Sequence, residues 1–269
     1  MHDTTIGCVI PVKNRSGQIV DAIESVLAQS KYVDEIIVVN DGSRDGTEKK
    51  VRDRFPQVTV INTQNAGPGM ARNIGALRCP CDVLLFLDSD DIWLENHVKD
   101  LVAPILQGYS CSFGLTINDG PCIEETFTIP GREFSPERPM EENLFRWCSI
   151  VPSSFAMSRA DFLKTGGFPA TSFGEDWLFF AKLALDFPIH YVPKEVTIRR
   201  IHGENLCWRT FSQKQARSLM KHLRKLCQGI DHQHLTEYID KVIQLIDKEG
   251  QAWKNVQDWY RAMERTGLI

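Results

Sequence analysis

Apolar residues in the first hundred positions come in short, continuous blocks. Ile6-Gly7-Cys8-Val9-Ile10, Ile36-Ile37-Val38-Val39 and Val83-Leu84-Leu85-Phe86-Leu87 are three of them. Runs this short and this rich in β-branched residues predict strands buried on both faces, as in a parallel sheet. Between them the apolar spacing changes to three and four. Ile19, Ala22, Ile23, Val26 and Leu27 predict a helix over 17–29, and further helices are predicted over 47–55, 70–77 and 93–106. A strand over 58–61 lies between the second and third. Ser43 or Asp45 is placed to cap the second helix, Pro56 stops it, and Gly67-Pro68-Gly69 breaks the chain before the third. Strands alternating with helices predict an α/β fold with a mainly parallel sheet, flanked by helices and joined by right-handed crossovers.

The pattern loosens over 109–147, where Pro121, Pro130, Gly131, Pro136 and Pro139 punctuate a stretch that reads as irregular structure or edge strands. Order returns with a strand over 154–158, a helix over 160–165 and the turn Gly166-Gly167-Phe168-Pro169. Glu175-Asp176 opens another helix, to about 187, and strands follow over 189–192 and 196–201. From 210 onward the chain is strongly helical. Its apolar stripes are led by Leu219 and Leu223, by Ile239 and Val242, and by Trp259 and Met263.

Composition narrows the function. A formal net charge of -4 over 269 residues argues against a dedicated nucleic-acid binder. No apolar segment approaches bilayer-spanning length and the first residues lack a signal-peptide pattern, so cytoplasmic residence is expected. The eight cysteines are scattered, which predicts reduced thiols. Cys79-Pro80-Cys81 is too closely spaced for a zinc knuckle and has no matching pair.

Two of the apolar runs end in acid. One enters Asn40-Asp41-Gly42-Ser43 and the other Asp88-Ser89-Asp90-Asp91. Open α/β sheets bind ligands at the carboxyl ends of their strands. Turn chemistry accounts for one aspartate at such a place. Three in four residues point to a divalent cation, Mn²⁺ or Mg²⁺, shared with a diphosphate. Neither G-x-G-x-x-G after a strand nor G-x-x-x-x-G-K-[ST] is present, which argues against dinucleotide and P-loop folds.

In order along the chain stand Pro11-Val12-Lys13-Asn14-Arg15, Asn40-Asp41-Gly42-Ser43-Arg44-Asp45-Gly46-Thr47, Asn65-Ala66-Gly67-Pro68-Gly69-Met70-Ala71-Arg72-Asn73-Ile74-Gly75 and Phe86-Leu87-Asp88-Ser89-Asp90-Asp91. Further on come Gly166-Gly167-Phe168 and Gly174-Glu175-Asp176-Trp177. This ordered set resembles the signature of inverting family 2 glycosyltransferases and covers about 6–205. The resemblance implies a GT-A fold with a Rossmann-like nucleotide-sugar-binding half over 1–107 and an acceptor-side half over 108–209. A C-terminal helical extension over 210–269 stands outside it. It implies transfer of a sugar, with inversion, from a nucleotide-diphosphate donor to a carbohydrate, lipid-linked or other hydroxyl acceptor, in bacterial surface polysaccharide, lipopolysaccharide or glycoconjugate synthesis.

Carried over residue by residue, the resemblance gives a donor site of Pro11, Val12, Asn14, Asp41, Arg72, Asp88, Ser89 and Asp90. Asp41 faces the nucleobase, and Asp88 and Asp90 form the D-x-D. Asp90 or Asp91 would touch the metal, joined by His202. Asp176 would be the general base, with Glu175 and Trp177 on the acceptor side. Lys13 stands where many relatives have Tyr. Several readings stay open. Glu175-Asp176 is also ordinary first-turn chemistry for a helix. A lone His after a strand is often structural, and Trp177 with Phe173 is either a sugar platform or packing. The helix over 211–228 carries Lys214, Arg217, Lys221, Arg224 and Lys225. It is either a packed helix with a solvated face, the favoured reading, or a peripheral membrane contact, and the extension offers a surface for a homodimer. The rival functions are a nucleotidyltransferase, which would want a glycine-rich basic loop near the N-terminus, and a nucleotide-sugar-binding module without turnover.

Overall fold

A computed structural model describes residues 3–171, 173–205, 212–228 and 233–269. The chain's first strand, β1 (Ile6–Val12), is buried along its whole length. It pairs in parallel with β2 (Glu35–Asp41) on one side and β4 (Val83–Phe86) on the other, and β3 (Thr59–Thr63) continues the parallel set beyond β2. Past β4 the sheet changes sense. β8 (Phe155–Ser158) runs antiparallel to β4 and to β6 (Cys111–Asp119). β6 runs parallel to β9 (Ile189–Arg200), and β5 (Ile92–Trp93) closes the far edge. β7 (Phe127–Ile129) pairs with β6 outside this path. The fold is a mixed, mainly parallel α/β sheet flanked by helices.

Alternation along β1 divides the core between the two faces of the sheet. Ile10 and Val12 enter one cluster with Ile19 and Ile23 of α1 (Ile19–Leu27) and Leu101 of α4 (His97–Leu106). Val9 enters the other, with Ala71 of α3 (Pro68–Arg78), Phe162 of α6 (Arg159–Thr165) and Phe180 of α7 (Glu175–Asp186). Helix α3 lies close to the sheet because residue 75 is glycine. A Cβ there would come within 2.3 Å of Val9 Cγ1. The short helix α2 (Thr47–Arg54) covers less, burying only Thr47 and Val51.

Four expectations are corrected. Trp93 is in a strand, and α4 begins at His97, since β5 needs Trp93 to pair with Thr197. The stretch after 108 contains β6, which is central between β8 and β9, and the helix α5 (Met140–Arg146). The two strands expected over 189–201 are one, with two register shifts opposite Gly114 to Thr116 absorbing residues 193, 194 and 196. Gly46, in the left-handed region, occupies the N-cap of α2, while Asp45 Oδ1 accepts from Thr47 N at 3.1 Å.

The helices α8 (Gln213–Leu226), α9 (Gln233–Glu249) and α10 (Val256–Arg265) form a third cluster. Leu219, Ile239, Trp259 and Met263 share it with Phe145 of α5 and Trp177 and Leu178 of α7. The basic face of α8 is partly neutralised inside the extension. Arg217 pairs with Asp247 and Arg224 with Asp240, each at 2.7 Å. Among the described residues no helix is long and apolar enough to cross a membrane. The expected boundary at 209/210 lies outside the described residues. Each described cysteine is a free thiol.

Candidate active site

The carboxyl ends of β1, β2 and β4 point the same way and open into one cleft of about 1550 Å³. Pro11, Val12, Asn14, Asp41, Arg72, Asp88, Ser89 and Asp90 line it from the sheet side. Glu175, Asp176 and Trp177 line it from the start of α7. The structure therefore brings together residues more than 160 positions apart in sequence.

Asp41 holds the loop that precedes α3. Its Oδ1 accepts from Ala66 N at 2.7 Å and its Oδ2 from Gly67 N at 3.0 Å. This fixes Gly67 and Pro68, which start the helix that carries Arg72. Lys13 joins the same loop through Asn65 Oδ1 at 2.5 Å. Asn14 sits at φ 52, donates its N–H to Ser43 Oγ at 2.9 Å and accepts from Arg44 N at 2.8 Å.

Arg72 is 3% exposed. Its guanidinium meets Asp88 Oδ1 at 2.5 Å and Glu175 Oε1 at 3.4 Å, and lies 5.2 Å from the Phe168 ring centre. Burial opposes the charge, but the two carboxylates hold it firmly in place. Glu175 has the opposite problem. Burial first, then the Asp176 charge, pushes its carboxyl from 4.5 to about 7, against the pull of Arg72. Asp176 Oδ1 accepts from Trp177 N at 2.7 Å, and its Oδ2 has no hydrogen-bond partner among the described residues.

Asp90 and Asp91 are neighbours with different places. Asp90 Oδ2 lies 3.1 Å from His202 Nε2 and 3.5 Å from Arg15 Nε. An oxygen and an imidazole nitrogen about 3 Å apart suit adjacent ligand positions on one divalent ion. Asp91 is turned into the protein. Ser153 Oγ donates to Asp91 Oδ2 at 2.6 Å and Arg200 N to Oδ1 at 3.3 Å. Both oxygens are committed, and burial with the Asp90 and Asp88 charges pushes this carboxyl well up. Asp91, the other candidate metal ligand, anchors the loop through these two bonds. Among the described residues no three His, Cys, Asp or Glu side chains gather closely enough to hold an ion by themselves. An ion bound by Asp90 and His202 would complete its shell from diphosphate oxygens and water.

Trp177 belongs to the wall more than to a sugar platform. It is 4% exposed, donates Nε1–H to Leu144 O at 2.5 Å and meets Trp147 edge-on at 5.3 Å. Gly174 explains how α7 and the extension fit. It has φ 70, and a Cβ there would strike Leu219 Cδ2 of α8 at 2.8 Å. Sequence reasoning missed Ser153 and Arg15. Ser153 Oγ also accepts Asp88 N at 3.0 Å, so one hydroxyl sets both ends of the acidic loop. Nothing in Pro152-Ser153-Ser154 signals this, because only tertiary pairing brings it to the loop.

The Glycosyl transferase family 2 model matches residues 8–167. An uncharacterized glycosyltransferase of Rickettsia felis is 34% identical over 101 residues, covering 37% of this chain and 17% of that one. One of Haemophilus influenzae is 28% identical over 184 residues, 66% of this chain and 61% of that one. The succinoglycan biosynthesis protein ExoW of Rhizobium meliloti is 28% identical over 186 residues, 61% and 58% of the two chains. The aligned region thus spans less than two thirds of each of these relatives. Among solved structures, S. aureus TarS 1-349 in complex with UDP-GlcNAc aligns over 92% of this chain and 74% of its own, with TM-score 0.68 and 19% identity. The complex with UDP gives 0.67 at 19% identity, over 90% and 71%. At that identity the likeness is one of fold, and the fold is that of the GT-A glycosyltransferases.

Proposed function

This chain belongs to glycosyl transferase family 2, and from that premise we propose that it moves a sugar from a nucleoside-diphosphate donor to an acceptor hydroxyl with inversion. The observation that carries the reading is the Asp88–Arg72–Glu175 bridge, which ties the acidic strand end to the start of α7 across one cleft. The donor half of the cleft would take the nucleotide against Asp41 and the sheet ends. UDP is the first nucleotide to test, because the TarS structures hold UDP and UDP-GlcNAc.

Asp90 and His202 would hold Mn²⁺ or Mg²⁺. Such an ion, when bound, offsets the charge that grows on the departing diphosphate. Arg15, 3.5 Å from Asp90, adds positive charge on the same side. Arg72 keeps the Asp88 carboxylate fixed, so the loop does not reorganise when the donor arrives. On the opposite side Asp176 takes the proton of the attacking hydroxyl on its unpartnered Oδ2. Attack opposite the leaving group in one step inverts the anomeric carbon, by the geometry that governs one-step sugar hydrolysis. One observation favours a second base: Glu175, held near 7, is poised for proton transfer at neutral pH. The kinship with ExoW supports a place in surface polysaccharide synthesis.

Calorimetric titration with UDP, GDP and dTDP in Mn²⁺, followed by release of sugar from the matching nucleotide sugar, tests the function. Binding of none of the three nucleotides would overturn it.

A further inference from the structure

The cleft extends well beyond the strand ends. Pockets for small ligands run to roughly 300–1,000 Å³, and this one reaches about 1550 Å³. Away from the sheet ends its lining includes the 126–133 stretch, Trp147 and α10. Of these parts, α10 lies outside the residues that the family model matches. Nothing in the transfer chemistry above uses them.

We propose that this wall is a subsite for a neutral saccharide unit of the acceptor, beyond the sugar that carries the attacking hydroxyl. The proposal rests on the glycosyltransferase reading for the word acceptor, and on the wall itself for the saccharide. Two half-buried aromatic rings stand together there. Trp147 and Tyr260 meet edge-on with centres 5.1 Å apart, and Trp147 is braced from below by Trp259 at 5.6 Å. Rings fixed this way present apolar faces at little entropic cost, and the C–H face of a pyranose is their natural complement. Around them the polar groups can both give and take hydrogen bonds. Tyr260 Oη donates to Glu133 Oε2 at 3.3 Å, and Gln257 and Glu264 follow α10 along the same cleft. Carboxylates accept and an amide does both, which matches vicinal hydroxyls.

The charge pattern selects among ligands. Glu133 and Glu264 are balanced by Arg132 and Arg261, all four on the cleft wall. A polyanionic acceptor would meet two carboxylates for two guanidinium groups and gain little. A neutral, hydroxyl-rich chain meets partners of both kinds.

The test uses the full chain without donor. Lactose, cellobiose and N,N'-diacetylchitobiose are each titrated by saturation-transfer NMR and calorimetry. At least one is expected to bind, with saturation strongest on ring C–H protons. Tyr260→Ala should weaken that disaccharide about tenfold, and so should the surface double variant Gln257→Ala/Glu264→Ala, which removes no core side chain. UDP affinity should stay within twofold in both. Failure of all three disaccharides to bind, or equal affinity for wild type and the double variant at an unchanged melting temperature, overturns the subsite. Disaccharide binding that responds to these variants in a chain that binds no nucleotide would uphold the saccharide subsite and overturn the glycosyltransferase reading, so the two fail separately.

Discussion

Arg72 and Asp88 meet at 2.5 Å, with the guanidinium buried and the carboxylate on the cleft rim. The pair joins α3 to the loop after β4, and Arg72 reaches on to Glu175. Removing the cation strands two carboxylates beside each other. Arg72→Met, which keeps most of the volume, should destabilise the fold by about 3–5 kcal/mol. Calorimetric melting measures it. Adding Glu175→Gln to that variant should recover part of the loss, whereas equal melting of the single and double variants would separate Glu175 from the bridge.

Asp176→Asn keeps the bond from Trp177 N but cannot accept a proton at neutral pH. Transfer should fall roughly 10²–10⁴-fold with nucleotide affinity nearly constant. Glu175→Gln should cost less if Asp176 is the base. The reverse ranking, read from single-turnover rates at saturating acceptor, would move the proton to Glu175.

Glu175 gives stability a pH dependence with a definite sign. Its carboxyl is held at about 7 in the fold against an ordinary 4.5. Between those values the native state keeps a proton that the unfolded chain has released, so stability falls as pH rises through that window. Asp91, also pushed up, slopes the same way. Melting temperature followed from pH 4.5 to 7.5 should decline less steeply in Glu175→Gln than in wild type. Parallel curves would rule out the raised carboxyl.

Asp90 and His202 stand 3.1 Å apart and should act as one unit toward a divalent ion. UDP affinity measured in Mn²⁺ should drop at least tenfold in EDTA, and similarly in Asp90→Asn and His202→Ala. Asp91→Asn should differ, lowering stability more than metal-dependent affinity, because its oxygens serve Ser153 and Arg200. Equal UDP affinity with and without EDTA would remove the metal from the site.

The extension shares its core with α5 and α7 through Phe145, Trp177 and Leu178. Truncation at 210 should therefore abolish cooperative melting, and Trp259→Ala alone should cost about 3–5 kcal/mol. A truncated chain that melts cooperatively and binds UDP would show the first two hundred residues to be self-sufficient.

The sequence made the parallel half readable because its strands are short apolar runs and its helices keep one stripe. The acidic strand ends stood out for the same reason: local composition alone marks them. β6 was hidden since Ser112, Thr116 and Asn118 are buried polar residues that break the apolar run, and the long-range pairing with β9 supplies what local pattern lacks. β9 looked like two strands because Pro193 interrupts it where the register shifts. Asp91 looked equivalent to Asp90, and partners far off in sequence, Ser153 and Arg200 for Asp91 and His202 for Asp90, distinguish them.

Gly174, packed under Leu219, has a consequence in time. The strands β1 to β4 are complete once β4 has been synthesised, but the Trp177 and Leu178 side of α7 has no Leu219 to pack on until α8 exists, and the far wall waits for Glu264. At about 5–20 residues per second, that leaves the apolar side of α7 uncovered on the ribosome for roughly 4–16 s. A nascent chain of this protein should therefore engage holding factors in that interval.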